Sequence, residues 1–168
     1  NLSFVESARI TYALLAHYQT VNAINFLDQI KQKYGTQMAY ALVRSDALTA
    51  DKQYLSAYEV LEPLLRRLEN GDIETVQSAY IAEETPDTLP FNNEGLYLRA
   101  AYLQRLLANY ELASKFAQLA LNTNANSNKA RVLSLEIALA THDKPTLANV
   151  LEELSQKELL DETDLELA

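Results

Sequence analysis

The sequence predicts an all-α protein built from paired helices, and three observations predict it. Apolar residues recur at three- and four-residue steps through most of the 168 residues, which is a helical rather than a strand period. Glycine and proline are scarce, three and four residues, among abundant Ala, Leu, Glu and Gln, so helices are favoured and the turns of a sheet are lacking. Small residues also return near the start of alternate helices at almost constant spacing, the mark of a repeated unit.

The elements follow in order. Residues 4–18 carry the first apolar stripe, opened by Ser3-Phe4-Val5-Glu6, a capping box in which hydroxyl and carboxylate satisfy each other's backbone amides. The second helix, 21–34, ends at Tyr34-Gly35-Thr36; the third covers 38–50. The fourth, 54–68, stops at Asn70-Gly71-Asp72. An extra helix is expected over 73–84, then a loop over 85–93 containing two prolines. Helices over 95–108 and 110–122 precede "NTNANSN", a turn whose side chains hydrogen-bond their own backbone. Helices over 129–140 and 146–154 complete the chain before an acidic tail, 157–168.

One alanine sits near the start of the second helix of each pair: Ala23, Ala57, Ala113 and Ala148. Their separations are 34, 56 and 35, and 56 exceeds 34 by 22. An alanine there lets the second helix cross the first closely, where a larger side chain would hold the two apart. The repeats run about 3–35, 36–69, 94–127 and 128–156, with an insertion at 70–93 that is either a helix and loop or a degenerate repeat.

With this period the chain resembles the tetratricopeptide (TPR) family. Tyr54 and Tyr110 supply the aromatic that the family favours three residues before the alanine, where Thr20 and Pro145 depart. Ala120 supplies the small residue seven positions after it; Ile30, Leu64 and Ser155 depart. The W-x2-L-G opening is missing, and Ala125 stands in place of the proline between repeats. The resemblance implies a TPR-like α-solenoid of about four helix pairs with a 22-residue insertion between the second and third.

Charge is unevenly spread. The net charge of −9 disfavours nucleic acid and anionic membrane surfaces as partners and favours a cationic one. Seven acids and no base lie between Leu68 and Leu98: Glu69, Asp72, Glu74, Glu83, Glu84, Asp87 and Glu94. Residues 150–168 hold seven more against Lys157, leaving nine acids and thirteen bases elsewhere. Any single acidic run is ordinarily a solvated face. A cluster on an irregular insertion is a recognition candidate, because loops on a rigid scaffold commonly carry binding. Of ten tyrosines, most fall on apolar faces; Tyr80, Tyr97 and Tyr102, in or beside the insertion, are placed to stack on a sugar or peptide. Residues 85–93 and 156–168 have few apolar anchors and are expected to exchange amide protons fastest.

The residues give no basis for catalysis. No cysteine is present, which excludes disulfides, thiolate metal sites and thiol nucleophiles, and leaves the redox compartment open. His17 and His142 fall at separate turns, so neither a metal site nor a cofactor is expected. There is no G-x-S-x-G elbow or phosphate-binding glycine loop, and Glu83 and Glu84 diverge by about 100° on a helix. No apolar run approaches the ~20 residues of a membrane span. The chain begins at Asn1 without an initiator Met and reads as a piece of a longer protein, so missing targeting signals do not locate it.

An interrupted array, an acidic proline-containing link, the Asn-rich start "PFNNEGLYLRAAYL" and the proline-opened "THDKPTLA" are similar to the periplasmic TPR portion of PgaA-type exporters. Those are outer-membrane porins for poly-β-1,6-N-acetylglucosamine, a biofilm polysaccharide. The resemblance covers about residues 36–155 and implies a non-catalytic domain on the periplasmic side of the outer membrane. It would recruit a periplasmic polysaccharide deacetylase and guide the cationic, partly deacetylated polymer to the pore. The alternative is a general TPR adaptor that docks a peptide or helix in its groove. Arg44, Arg99, Arg105 and Lys129, on first helices, leave open a clamp for a C-terminal carboxylate.

Overall fold

The computed structural model describes residues 1–76 and 89–156, and all regular structure among them is helical. Eight helices follow in order: α1 (Phe4–Ala16), α2 (Thr20–Tyr34), α3 (Met38–Ala50), α4 (Tyr54–Glu69), α5 (Asn93–Leu106), α6 (Tyr110–Thr123), α7 (Asn128–Thr141) and α8 (Lys144–Gln156). Except between α4 and α5, links of two to four residues force sequence neighbours to pack as hairpins. No helix of the described residues is long and apolar enough to cross a membrane.

Side-chain caps open four of the helices, α1, α5, α7 and α8. Ser3 and Glu6 form the expected capping box, Asn92 accepts from the Gly95 amide, and Ser127 accepts from the Ala130 amide. At α8 the carboxylate of Asp143 accepts from the amide and hydroxyl of Thr146. Those bonds hold the Asp143 carboxyl below its usual pKa.

Within each pair the turn is one repeated device. Tyr18, Lys52, Ala108 and His142 all have φ between 56° and 61°, the left-handed region, at steps of 34, 56 and 34 residues. The next residue's amide then reaches back five positions: Gln19 to Leu14, Gln53 to Leu48, Asn109 to Gln104, Asp143 to Ala138. That residue's carbonyl in turn accepts the first helical bond of the second helix, from Ala23, Ala57, Ala113 and Leu147. The fourth equivalent is therefore Leu147, and Ala148 lies one residue out of register. Ala148 is exposed, whereas Ala23, Ala57 and Ala113 are completely buried. Leu135 and Leu147 fall in one apolar cluster and fill the last pair with larger side chains than the small residues of the others.

Close approach is visible at the second pair, where buried Ser45 of α3 donates to the Ala57 carbonyl of α4 at 3.0 Å. Twelve residues separate these two, as they separate Thr11 from Ala23 and Ala101 from Ala113, and all six are wholly buried. Tyr54 and Tyr110 begin α4 and α6, half-buried against the main core. Tyr34 and Tyr40 are buried as expected of the tyrosines, but Tyr18, at a left-handed turn, is 93% exposed.

First helices approach one another in succession, α1 with α3, α3 with α5 and α5 with α7, while the backbones of no two second helices come as close. The first helices thus form an inner row, and the second helices stand apart outside it. The break in the row's regularity is the long link between α4 and α5. Ile73–Val76 are not helical, so the helix expected over 73–84 does not start at 73; residues 77–88 and the tail from 157 lie outside the described residues. The ends of the link are pinched together by Asn93, whose amide donates to the Glu74 carbonyl at 2.9 Å and whose Oδ1 accepts from the Val76 amide at 2.6 Å. Residues 89–91 are well anchored, against the expectation of few apolar anchors: Leu89 packs on Leu98, Ala120 and Ala130, and Phe91 on both larger cores.

The crossing geometry predicts that Ala57→Leu and Ala113→Leu each cost about 1–3 kcal/mol through overpacking, while exposed Ala148→Leu stays within about 0.5 kcal/mol of neutral. Urea unfolding of the three variants measures this, and equal losses at all three sites would refute the register.

Candidate functional site

A groove of about 340 Å³ is walled by one face each of α4 and α6, with α5 at its floor. From α4 come Tyr58, Glu62, Leu65, Arg66 and Glu69, spaced at three and four residues so that they share one face. From α6 come Leu112, Lys115, Phe116 and Leu119 by the same rule, and from α5 comes Tyr97. The groove exists because the backbones of α4 and α6, both second helices, stay apart and meet only through side chains such as Tyr58 and Phe116.

Its floor is aromatic. Phe116 stacks on Tyr97 with ring centroids 6.5 Å apart and meets Tyr58 at 6.2 Å in a tilted contact. Burial raises the pKa of both tyrosines, and the nearby carboxylate adds to it, Glu62 at Tyr58 and Glu69 at Tyr97. Both hydroxyls stay protonated at neutral pH, and that of Tyr58 is hydrogen-bonded to Gln104. On the rim, Arg66 pairs with Glu62 at 3.1 Å, one helical turn away. Glu69 and Lys115 complete a rim of two acids and two bases. A groove of this volume, apolar at its base with a few convergent polar groups, has the form of a ligand site.

Of the ten ligand candidates named from sequence, Glu69 and Tyr97 line this groove. Asp72 and Glu74 are exposed on the start of the link. Glu94 accepts from Asn124 at 2.9 Å at the N-terminus of α5. Tyr102 is exposed beneath the Arg105 guanidinium, 5.1 Å from its ring centroid. Five helical positions place Tyr102 about 140° around α5 from Tyr97, so one ligand does not stack on both. Tyr80, Glu83, Glu84 and Asp87 lie outside the described residues. The sequence reading passed over Tyr58, Leu65, Leu112, Phe116 and Leu119. Their signal was the mixed stripe at 58, 62, 65 and 69 in α4, where aromatic, acidic and apolar residues share a face that a simple core would keep apolar.

The four cations considered for a carboxylate clamp do not converge. Arg44 pairs with Asp28 at 2.7 Å, and Arg105 lies 3.1 Å from Glu136 on α7. Arg99 is buried and committed to Asp46. Lys129 sits alone of the four on α7. Among the described residues no group of three or more His, Asp or Glu side chains is arranged to hold a metal ion.

Comparison with protein-family models, with curated proteins and with solved structures finds no match to this chain.

Tyr12, Tyr40, Tyr58 and Tyr97 all have raised pKa values, with burial the leading cause. Folding therefore favours their neutral form, so stability is intact below the unfolded tyrosine value of about 10 and falls as pH rises past it. Urea midpoints between pH 8 and 11.5, read beside tyrosinate absorbance, should stay level and then drop. Tyr58→Phe and Tyr97→Phe should each soften the drop; a profile unchanged in both variants would contradict the groove's burial.

Proposed function

We propose that the chain is a non-catalytic binding domain whose helix pairs are TPR-like repeats of an α-solenoid, and that it serves export of poly-β-1,6-N-acetylglucosamine. In this reading it lies on the periplasmic side of the outer membrane, recruits the polymer deacetylase and passes the partly deacetylated chain toward a pore. The repeat steps of 34 residues in the turns support the TPR-like reading. The observation that carries the ligand class is the groove: Tyr58 and Tyr97, backed by Phe116, offer ring surface to sugar C–H groups, and Glu69 offers a carboxylate to a glucosamine ammonium group, Glu62 being paired with Arg66. Such exposed contacts are weak, about 0.2–1 kcal/mol each, and salt-sensitive, which suits a polymer in transit.

A second reading, the peptide or helix adaptor, is favoured by Leu65, Leu112 and Leu119 and by the balanced rim charge. An amphipathic helix would lay its apolar side on the leucines and pair its charges with Glu69 and Lys115.

Titration with partly deacetylated and fully acetylated β-1,6-glucosamine oligomers at low and moderate salt, followed by chemical shifts, separates the readings. The exporter reading expects the deacetylated oligomer to bind preferentially and to move Tyr97 and Phe116 signals. Glu69→Gln should weaken that binding about 1.5- to 5-fold. If neither oligomer binds, the polysaccharide reading fails. If a helical peptide then shifts the same signals, the adaptor reading stands.

A further inference from the structure

Residues 89–91 lie across the inner row as a bound peptide would. Two main-chain carbonyls are read by one side chain: Arg99 donates from Nη1 to the Pro90 oxygen at 2.7 Å and from Nη2 to the Leu89 oxygen at 3.3 Å. The same guanidinium covers the Phe91 ring, 4.9 Å from its centroid, and Tyr12 of α1 meets that ring edge-on at 6.1 Å. Asp46 of α3 buttresses the reader, accepting from Arg99 Nε at 2.8 Å and Nη2 at 3.0 Å and from the Tyr12 hydroxyl at 2.6 Å. Space for the peptide backbone is made by Gly95: a Cβ there would stand 1.6 Å from the Pro90 oxygen. Gly95 lies in α5, where glycine costs about 1 kcal/mol relative to alanine, so the helix gives up stability to admit this backbone.

These features have the division of labour of an extended-peptide site: carbonyls held by a buried, buttressed cation for affinity, and an aromatic slot for specificity. A segment that only closed a loop would need neither a glycine under its carbonyl nor a guanidinium spanning three first helices. The geometry points to a peptide site on the inner row, formed by Tyr12, Asp46, Gly95 and Arg99, that the chain's own Leu89-Pro90-Phe91 occupies. An external extended segment with a proline followed by an aromatic binds there only when residues 89–91 leave. Because the occupant is tethered, its effective concentration is about millimolar or higher, and a free competitor below that level is excluded from the intact chain. This inference is independent of what the groove between α4 and α6 binds.

The test replaces the occupant and supplies it in trans. A variant of the full chain carrying Leu89→Gly, Pro90→Ser and Phe91→Gly is titrated with a blocked peptide of residues 89–94, LPFNNE, and chemical shifts near Tyr12 and Gly95 are followed. The peptide should bind this variant at least tenfold more tightly than the unaltered chain, and a peptide with alanine for phenylalanine should not bind. Adding Gly95→Ala to the variant should abolish peptide binding and cost less melting temperature than in the unaltered chain, because with residues 89–91 gone the new Cβ meets only Arg99 Nη1, 2.9 Å away. In the unaltered chain the same Gly95→Ala should lower the melting temperature further. If the folded variant does not bind the peptide, or binds it regardless of Gly95→Ala, the site does not exist as described. Should the triple variant fail to fold, Phe91→Ala alone takes its place; failure of both would make residues 89–91 a wall of the domain and overturn the inference.

Discussion

The buried pair of Arg99 and Asp46 holds the inner row together. The Arg99 side chain is 2% exposed, and burial alone would lower its pKa; the Asp46 carboxylate outweighs this and raises it. Taking a guanidinium out of water is tolerable only when its donors are satisfied, and here they reach Asp46 on α3 and two carbonyls of the link. Tyr12 on α1 completes the carboxylate's bonding. One ion pair therefore fixes three first helices and the return of a 23-residue link. Its geometry is intolerant: lysine has no fork for a carboxylate and two carbonyls at once.

A backbone constraint of equal reach acts between the helices of each pair. Four non-glycine residues accept the left-handed conformation, at about 1–2 kcal/mol each, and the bonds that follow fix where the second helix starts. The turn thereby dictates which side chain faces the crossing. Where that side chain is alanine the helices close on one another; at Leu147 the same backbone site carries a larger residue and its partner, Leu135, is large as well. The turn is the constant, and the size of the residue at the crossing varies to suit the pair.

This explains what could be read in advance. All eight helix positions were legible, because an amphipathic stripe is a local property and the capping box at Ser3 is local too. The register of the last pair was misread at Ala148 because composition, not backbone, marked it: the signal at 142 is a histidine, and no residue type announces a left-handed turn here. The groove was only partly legible. Tyr97 and Glu69 were found as members of an aromatic and acidic neighbourhood, whereas Phe116 and Tyr58 enter it by the separation of α4 from α6, which no local pattern encodes. The role of "PFNNEG" was hidden for the same reason. Pro90 accepts from Arg99, Phe91 fills a slot, Asn92 caps, Asn93 closes the link, Glu94 meets Asn124 and Gly95 makes room, and three of those six partners lie far off in the chain.

The two faces differ in what they can still do. On the inner row the polar groups that would read a ligand are saturated by the chain itself, so its specificity is exercised internally. On the outer side, α4 and α6 stand apart because the first helices take up the contacts, and the gap is lined by aromatic rings whose hydroxyls remain unionised. The acidic character of the chain does not concentrate in that gap: two carboxylates there are matched by Arg66 and Lys115. In the reading proposed above, selectivity for a cationic ligand would come from geometry, with Glu69 at the end of α4 reachable while Glu62 is held by Arg66, and not from a diffuse negative field. A ligand that bound through one accessible carboxylate and the two tyrosine rings backed by Phe116 would be held at a few points along its length, which is the arrangement that lets a long chain or an amphipathic helix engage without being enclosed.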